Sequence, residues 1–234
     1  MAAPTFGPIP SNLWNRAPPE KSGRASDHLR ALDRLLKLNE GYANGSWGYT
    51  ILRTVYTPES DALFPAAIER LKRYVYYWCH YGRFLSYGVL CEKSRIDYAE
   101  PNDELFRRFY LDVIEDPKGL AHLDGDSPDK FMAISDYFRR WVAGVDISGY
   151  NPYENPRFCN CLVINTEGLA LLAQLPDEPP PLRCAVDLKE KQDFLGTGYS
   201  AWIWLLETQY MSQPALHEDS YCGWLKVGPG DLEK

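Results

Sequence analysis

Short segments with the composition of β-strands alternate along this chain with longer segments of helical periodicity. Residues 49–56 (YTILRTVY) are rich in β-branched and aromatic side chains, and an amphipathic helix is predicted from about Asp61. Strand composition returns at 106–115 and at 158–164, with a helical segment before each return. A chain of this kind buries its apolar surfaces by packing helices on a sheet.

We therefore predict an α+β domain with a single mixed or mostly antiparallel sheet and helices packed on one face. A ferredoxin-like or α+β-barrel-like arrangement is expected. The partial alternation of apolar and polar residues in the strands favours a half-covered sheet over a fully buried parallel one. Pro65 is expected in the first turn of its helix, where no backbone hydrogen bond is lost. Further strands are predicted at 182–188, 199–211 and 221–227, and further helices at 26–39, 128–143 and 166–175.

The length of 234 residues favours one domain. Residues 1–25 contain five prolines and few large apolar residues, so they are predicted to form a flexible arm. Residues 26–228 are predicted to form the single α+β domain, and residues 229–234 a frayed tail.

Charge and hydropathy narrow the classes of partner. The net charge of −7 and the short basic clusters argue against nucleic-acid binding. The lack of a long apolar run argues against a membrane partner. The N-terminal residues have no apolar leader, so we expect a cytoplasmic protein with free cysteines. A small-molecule ligand is the expected partner, and a homodimer is compatible with the sequence.

The common signatures of cofactor and metal sites are absent from the sequence: there is no Walker loop, no G-x-S-x-G, no H-E-x-x-H and no C-x-x-C. Asp124-Gly125-Asp126 is interpreted as a helix cap, because the later positions of a calcium loop are wrong. Cys159 and Cys161 are interpreted as strand packing. We expect no cofactor and no metal site.

Three charged residues interrupt apolar strand segments: Arg53, Asp112 and Asp187. A buried charge costs several kcal/mol unless it is paired. Each residue can lie on a solvent-exposed face, in a structural ion pair such as Arg53 with Asp112 or Asp187, or on the floor of a pocket. The sequence leaves these three alternatives open.

The pocket alternative supplies a chemical hypothesis. Arg53 would hold an anionic or enolate oxygen, and a desolvated aspartate would act as general acid or base. Aromatic side chains would add hydroxyl or indole N–H groups and flat surfaces on which a substrate can stack. The candidate catalytic residues are Arg53, Asp112, Asp187 and Tyr56, and the candidate substrate-binding residues are Trp47, Trp202 and Trp204.

The segment SWGYTILRTVYTPESDALF resembles a family of filamentous-ascomycete proteins that have no assigned activity. The family has a strand of the type WGF-x-I-x-R-T-x-Y, followed by an acidic turn and an amphipathic helix. Later segments at 111–116, 138–142, 161–169 and 223–227 are also similar. Relatives often carry a charged stretch before the closing Trp, where this chain has the apolar segment 199–211. The matching residues of the strand are Trp47, Gly48, Arg53, Thr54 and Tyr56.

The surplus of Trp and Tyr around a few charges within strands favours a cofactor-independent enzyme. Its expected substrate is a small apolar or aromatic metabolite, and its expected reaction is that of a cyclase, isomerase or dehydratase. The ascomycete resemblance makes secondary metabolism the expected context. The alternative is a non-catalytic interaction or ligand-binding protein that uses the apolar segment 199–211 as its contact surface.

Overall fold

A computed structural model describes residues 46–87, 99–145, 156–177, 202–207 and 223–227, together with Phe6, Pro10 and Leu13. The predicted helix at 26–39, the predicted strand at 182–188 and the candidate residue Asp187 lie outside the described residues.

Five described strands form one mixed sheet in the order β2-β1-β3-β4-β5. Strand β1 lies between β2 and β3 and runs parallel to both of them. Strand β4 is antiparallel to β3, and β5 is antiparallel to β4. The strands are β1 (Trp47–Arg53), β2 (Phe109–Ile114), β3 (Asn160–Ile164), β4 (Ile203–Glu207) and β5 (Trp224–Val227).

Helices connect the parallel strands. The described helices are α1 (Pro58–Tyr87), α2 (Ala99–Arg107), α3 (Pro117–Leu120), α4 (Pro128–Gly144), α5 (Pro156–Cys159) and α6 (Thr166–Gln174), with a 3₁₀ turn at Ala121–Leu123. The predicted α+β class with a single mixed sheet is confirmed.

The helices cover both faces of the sheet, and not one face as the sequence led us to expect. One apolar cluster joins α1 and α6 to one face, where Ile51 and Leu162 point. A second cluster joins α4 to the opposite face, where Leu52 and Val163 point. The crossover from β1 to β2 and the crossover from β2 to β3 run in opposite directions. Because such crossovers are right-handed, their helices fall on opposite faces. The parallel order β2-β1-β3 likewise departs from the ferredoxin-like arrangement.

Helix α1 begins earlier than its apolar periodicity suggested. The Thr57 amide donates to the Ser60 hydroxyl (2.8 Å), and the Ser60 amide donates to the Thr57 hydroxyl (3.1 Å). This reciprocal cap, followed by Pro58, is a strong start signal. Pro65 consequently lies inside the helix, and the prediction of a first-turn proline is wrong.

Two residues of the predicted arm contact the folded body. Leu13 is 5% exposed. The ring of Phe6 lies 4.8 Å from the Arg107 guanidinium and 5.5 Å from that of Arg108. Arg107 ends α2 and Arg108 follows it directly, so the helix extends into the segment 106–115 for which the sequence predicted a strand.

Candidate functional site

The three parallel strands end at one edge of the sheet. After β1 the chain turns to α1 on one face, and after β2 it turns to α4 on the other face. Two neighbouring connections therefore diverge to opposite faces at the carboxyl ends of the strands, which is where open α/β sheets place ligands. Five polar side chains are linked at this edge by hydrogen bonds and a cation–π contact, and we call them the carboxyl-edge cluster: Arg53, Tyr56, Glu115, Asp116 and Tyr137.

Arg53 ends β1 and is 5% exposed. Its Nε donates to the Val55 carbonyl (2.8 Å), and its Nη1 donates to Glu115 Oε1 (2.8 Å). Its Nη2 donates to the Ser60 hydroxyl (3.0 Å) and also to the Asp61 carboxylate. These acceptors come from the start of α1 and the end of β2, so Arg53 ties the two strand ends together.

Two aromatic rings sandwich the guanidinium of Arg53. Its carbon lies 4.8 Å from the centre of the Tyr56 ring and 4.5 Å from that of Phe64. Cation–π contacts of this kind hold both the cation and the rings in place. Because its donors are directed at protein acceptors, Arg53 orients the cluster and is better suited to positioning Tyr56 and Glu115 than to binding an anion itself.

The hydroxyl group of Tyr56 already accepts one hydrogen bond from the protein. The backbone amide of Asp116 donates to the Tyr56 oxygen (2.9 Å). Among the described residues, no acceptor takes the Tyr56 O–H in return, so this proton can be donated to a ligand. Burial raises the pKa of Tyr56, and this effect outweighs the Asp116 amide and the Arg53 cation, which lower it. Tyr56 is therefore a protonated hydrogen-bond donor at neutral pH.

Asp116 and Tyr137 form the other half of the carboxyl-edge cluster. The Tyr137 hydroxyl donates to Asp116 Oδ2 (2.9 Å), and the Gly119 amide donates to Oδ1 (3.0 Å). The Gly119 amide, followed by the Tyr137 hydroxyl, lowers the pKa of Asp116. Burial, with the adjacent carboxylate of Asp116, raises the pKa of Tyr137 to about 12. Asp116 is therefore a fixed anion, and Tyr137 is a fixed donor that holds it.

Asp112 does not join Arg53. Its carboxylate accepts a hydrogen bond from Arg157 Nη2 (3.0 Å), and the Arg157 guanidinium lies between the rings of Tyr110 and Phe158. Leu111 and its alternate neighbour Val113 belong to the α1-side cluster, so Asp112 points to the opposite face from them. The ion pair between Arg53 and Asp112 that the sequence left open is not formed.

The candidate tryptophans occupy two places. Trp47 lies at the start of β1, the opposite end from Tyr56. Its Nε1 donates to the Leu105 carbonyl (2.6 Å), and its ring lies 4.8 Å from that of Phe109. Trp47 therefore anchors α2 to the sheet.

Trp202 and Trp204 lie at the start of β4, on the face that α4 covers. Their ring centres are 5.3 Å apart in an edge-to-face arrangement. The Lys226 ammonium lies 3.5 Å from the centre of the Trp202 ring and 5.1 Å from that of Trp204. We call these three residues the tryptophan face. Helix α4 borders it, because the ring of Phe131 packs against Trp204 in a tilted arrangement with the centroids 4.8 Å apart.

Asp124 is a cap, as predicted, but it caps a different helix from the expected one. Its carboxylate accepts from the Thr166 amide (2.9 Å) and the Thr166 hydroxyl (2.5 Å) at the start of α6. Asn165 adds the second cap by accepting from the Gly168 amide (2.8 Å). Within the described ranges, no group of three metal-ligating side chains is present.

The described cysteines are poor nucleophiles. Cys161 is fully buried in the α4-side cluster, and burial raises the pKa of its thiol. Burial likewise raises the pKa of Cys159 to about 11. The sequence interpretation of both residues as packing residues agrees with these surroundings, although Cys159 lies in α5 and not in the strand.

Sequence reasoning missed Glu115, Asp116 and Tyr137 as site residues. A signal was present for the first two, because the acidic pair precedes Pro117. A capping residue followed by proline marks the start of a helix, as Ser127-Pro128 does for α4. Tyr137 gave no local signal, because its partner is 21 residues away.

Comparison with known proteins found no matching family model, no matching curated protein and no matching solved structure. Among the helices described, none combines the length and the apolar character needed to cross a membrane.

Proposed function

We propose that this protein is a cofactor-independent enzyme of the isomerase or lyase type that acts on a small aromatic metabolite. The supporting observation is the arrangement at Tyr56, whose oxygen accepts the Asp116 amide while its own proton is available to a ligand. The ascomycete resemblance favours secondary metabolism as its setting.

The carboxyl-edge cluster contains both groups that enolisation requires. The Glu115 carboxylate is about half exposed, at 52% of its side chain, and can take a proton from the carbon next to a substrate carbonyl. Tyr56 donates its proton to the carbonyl oxygen on which negative charge develops. Glu115 returns its proton to another carbon to give an isomer, or delivers it to the departing β-hydroxide to give water and a dehydrated product; in both cases the carbonyl re-forms and Tyr56 regains its proton. Arg53 acts as a positioning residue, because it bonds Glu115 and stacks on Tyr56.

Replacement of Tyr56 by phenylalanine tests this function. We expect the rate of product formation to fall roughly a hundredfold or more, since a general acid contributes that much to a rate. The purified protein is incubated with a metabolite extract of its source cells. Mass spectrometry then follows new species that are isomeric with their precursors or lighter by one water.

Tyr76→Phe is the matched control, because Tyr76 is 40% exposed on α1 and lies outside the carboxyl-edge cluster. Thermal unfolding establishes that both variants are folded. Equal rates for a folded Tyr56→Phe variant and the wild type would exclude Tyr56 as the acid. A wild-type protein that changes no species in the extract would exclude the enzyme.

A non-catalytic ligand-binding protein is the second candidate. The observation that favours it is that Arg53 and Asp112 are both bonded to protein partners. Such a protein would bind an aromatic compound without altering it, so binding without new products in the same extract would select this candidate. Most of the proposed contact segment 199–211 lies outside the described residues, which include only 202–207 of it.

A further inference from the structure

Two buried polar atoms near α4 lack hydrogen-bond partners. Trp204 Nε1 and Ser135 Oγ are both shielded from solvent, and neither has an acceptor or donor within the part of the chain that the structure describes. Ser135 is fully buried. Leaving such a group unsatisfied destabilises the folded state, so an unpaired donor in a folded protein calls for an explanation.

The two atoms belong to the same region of the molecule. Ser135 lies one helical turn after Phe131, and the ring of Phe131 packs against Trp204. Both Phe131 and Trp204 belong to the apolar cluster between α4 and the sheet. A single bound molecule that reaches between α4 and β4 could therefore supply an acceptor to the indole N–H and approach the hydroxyl.

The tryptophan face defines the chemistry of that molecule. Trp202 and Trp204 offer aromatic walls set edge to face, which suit a planar ring. The ammonium of the exposed Lys226 lies over both rings, so it places a positive charge beside them. Lys226 faces Trp204 directly across the β4–β5 pair, so the antiparallel register holds the charge and the indole together.

We propose that the tryptophan face binds a small aromatic carboxylate. Its ring packs against the indoles, and its carboxylate pairs with Lys226 and accepts the Trp204 N–H. This inference deepens the proposed function by naming its substrate class. Binding of the carboxylate does not depend on the proposed function, and only its turnover rests on that function. Phe131 and Tyr137 are six residues apart on α4, roughly 9 Å along its axis, so one helix contacts both the tryptophan face and the carboxyl-edge cluster.

Binding is measured without turnover by titrating the full-length protein with 2-naphthoate. The matched probes are 2-naphthamide, which has the same ring without the charge, and cyclohexanecarboxylate, which has the charge without the aromatic ring. Isothermal titration calorimetry gives the affinities. We expect 2-naphthoate to bind at least tenfold more tightly than either probe.

Two variants locate the site. Lys226→Gln, at an exposed position, is expected to weaken 2-naphthoate about tenfold and to leave 2-naphthamide unchanged, since a charge-assisted bond is lost. Trp204→Phe keeps an aromatic ring but removes the N–H, and is expected to weaken 2-naphthoate about fivefold. Lys130→Gln on α4 is the control for a general loss of positive charge.

Nuclear magnetic resonance supplies a readout that does not depend on the stability of the variants. The chain has seven tryptophans, and the indole N–H resonance of Trp204 is the one that Trp204→Phe removes. This resonance should shift downfield when 2-naphthoate binds to the wild type. Equal affinities for 2-naphthoate and 2-naphthamide, an unchanged Trp204 resonance, or full binding by Lys226→Gln would each overturn the inference.

The experiments distinguish failure of the proposed function from failure of the proposed binding site. If 2-naphthoate binds as expected and Tyr56→Phe has no effect on any turnover, the binding site stands and the catalytic assignment falls. If turnover depends on Tyr56 but no aromatic carboxylate binds, the substrate class is wrong.

Discussion

Replacing Gly48 by alanine is expected to lower the free energy of unfolding by about 3 kcal/mol or more. Gly48 has a φ of 141°, which side-chain-bearing residues rarely adopt. A Cβ at this position would also overlap the carbonyl oxygen of Tyr110 on the paired strand β2. The overlapping atom belongs to a backbone, so it can move only if the β1–β2 pairing changes. Urea unfolding followed by tryptophan fluorescence measures the loss.

Gly144→Ala is the matched control for this substitution. Gly144 lies at the end of α4, and a Cβ there would meet nothing within 4 Å. Alanine loses less conformational freedom than glycine in a helix, so this variant should be as stable as the wild type or slightly more stable. Similar losses in the two variants would contradict the proposed overlap at Gly48.

Replacing Glu104 by glutamine is expected to cost about 3 kcal/mol of folding stability. Arg108 is fully buried, and its Nε lies 2.6 Å from Glu104 Oε1. Glutamine keeps the shape and an acceptor oxygen but removes the negative charge that neutralises Arg108. Glu69→Gln is the control, since Glu69 pairs with Lys72 at an exposed site where such pairs contribute at most about 1 kcal/mol.

The ion pairs of Glu104 also predict how the folding stability depends on pH. Burial alone would raise the pKa of Glu104, but hydrogen bonds from Arg107 and Arg108, with their charges, outweigh it and lower the pKa. A lowered pKa means that the ionised carboxylate stabilises the folded state above the ordinary glutamate value of roughly 4.3. This contribution is lost as the pH falls through the lower, folded-state pKa. The difference in the free energy of unfolding between the wild type and Glu104→Gln should therefore be large at neutral pH and should decrease in acid. A difference that stays constant to low pH would contradict the assignment.

Local signals explain the predictions that succeeded. Helix α6 was predicted at 166–175 and is observed at Thr166–Gln174, because its cap residue and its apolar stripe are neighbours in sequence. Helix α4 was predicted at 128–143 and is observed at Pro128–Gly144. The strand at 49–56 was recognised from its composition, and β1 occupies Trp47–Arg53.

The candidate site depended on contacts that no local pattern reports. Arg53 was singled out because a charge in an apolar strand needs a partner. Its carboxylate partners are Asp61, eight residues away, and Glu115, 62 residues away, and not Asp112. Asp112 was singled out for the same reason and is paired with Arg157, 45 residues away. The sequence therefore identified two charged residues that are mostly buried. Identifying their partners required the tertiary structure, including the register of β1 against β2.

The sequence by itself determined the α+β class, the strand and helix character of most described segments, and the presence of charges that need partners. Periodicity and capping report interactions within a few residues, and these interactions are the same in any tertiary arrangement. Only the tertiary structure decided that helices cover both faces, since that depends on the direction and handedness of two crossovers. It also decided that Tyr56 meets Asp116 and that Lys226 meets Trp202, because these pairs form only after strands distant in sequence align side by side.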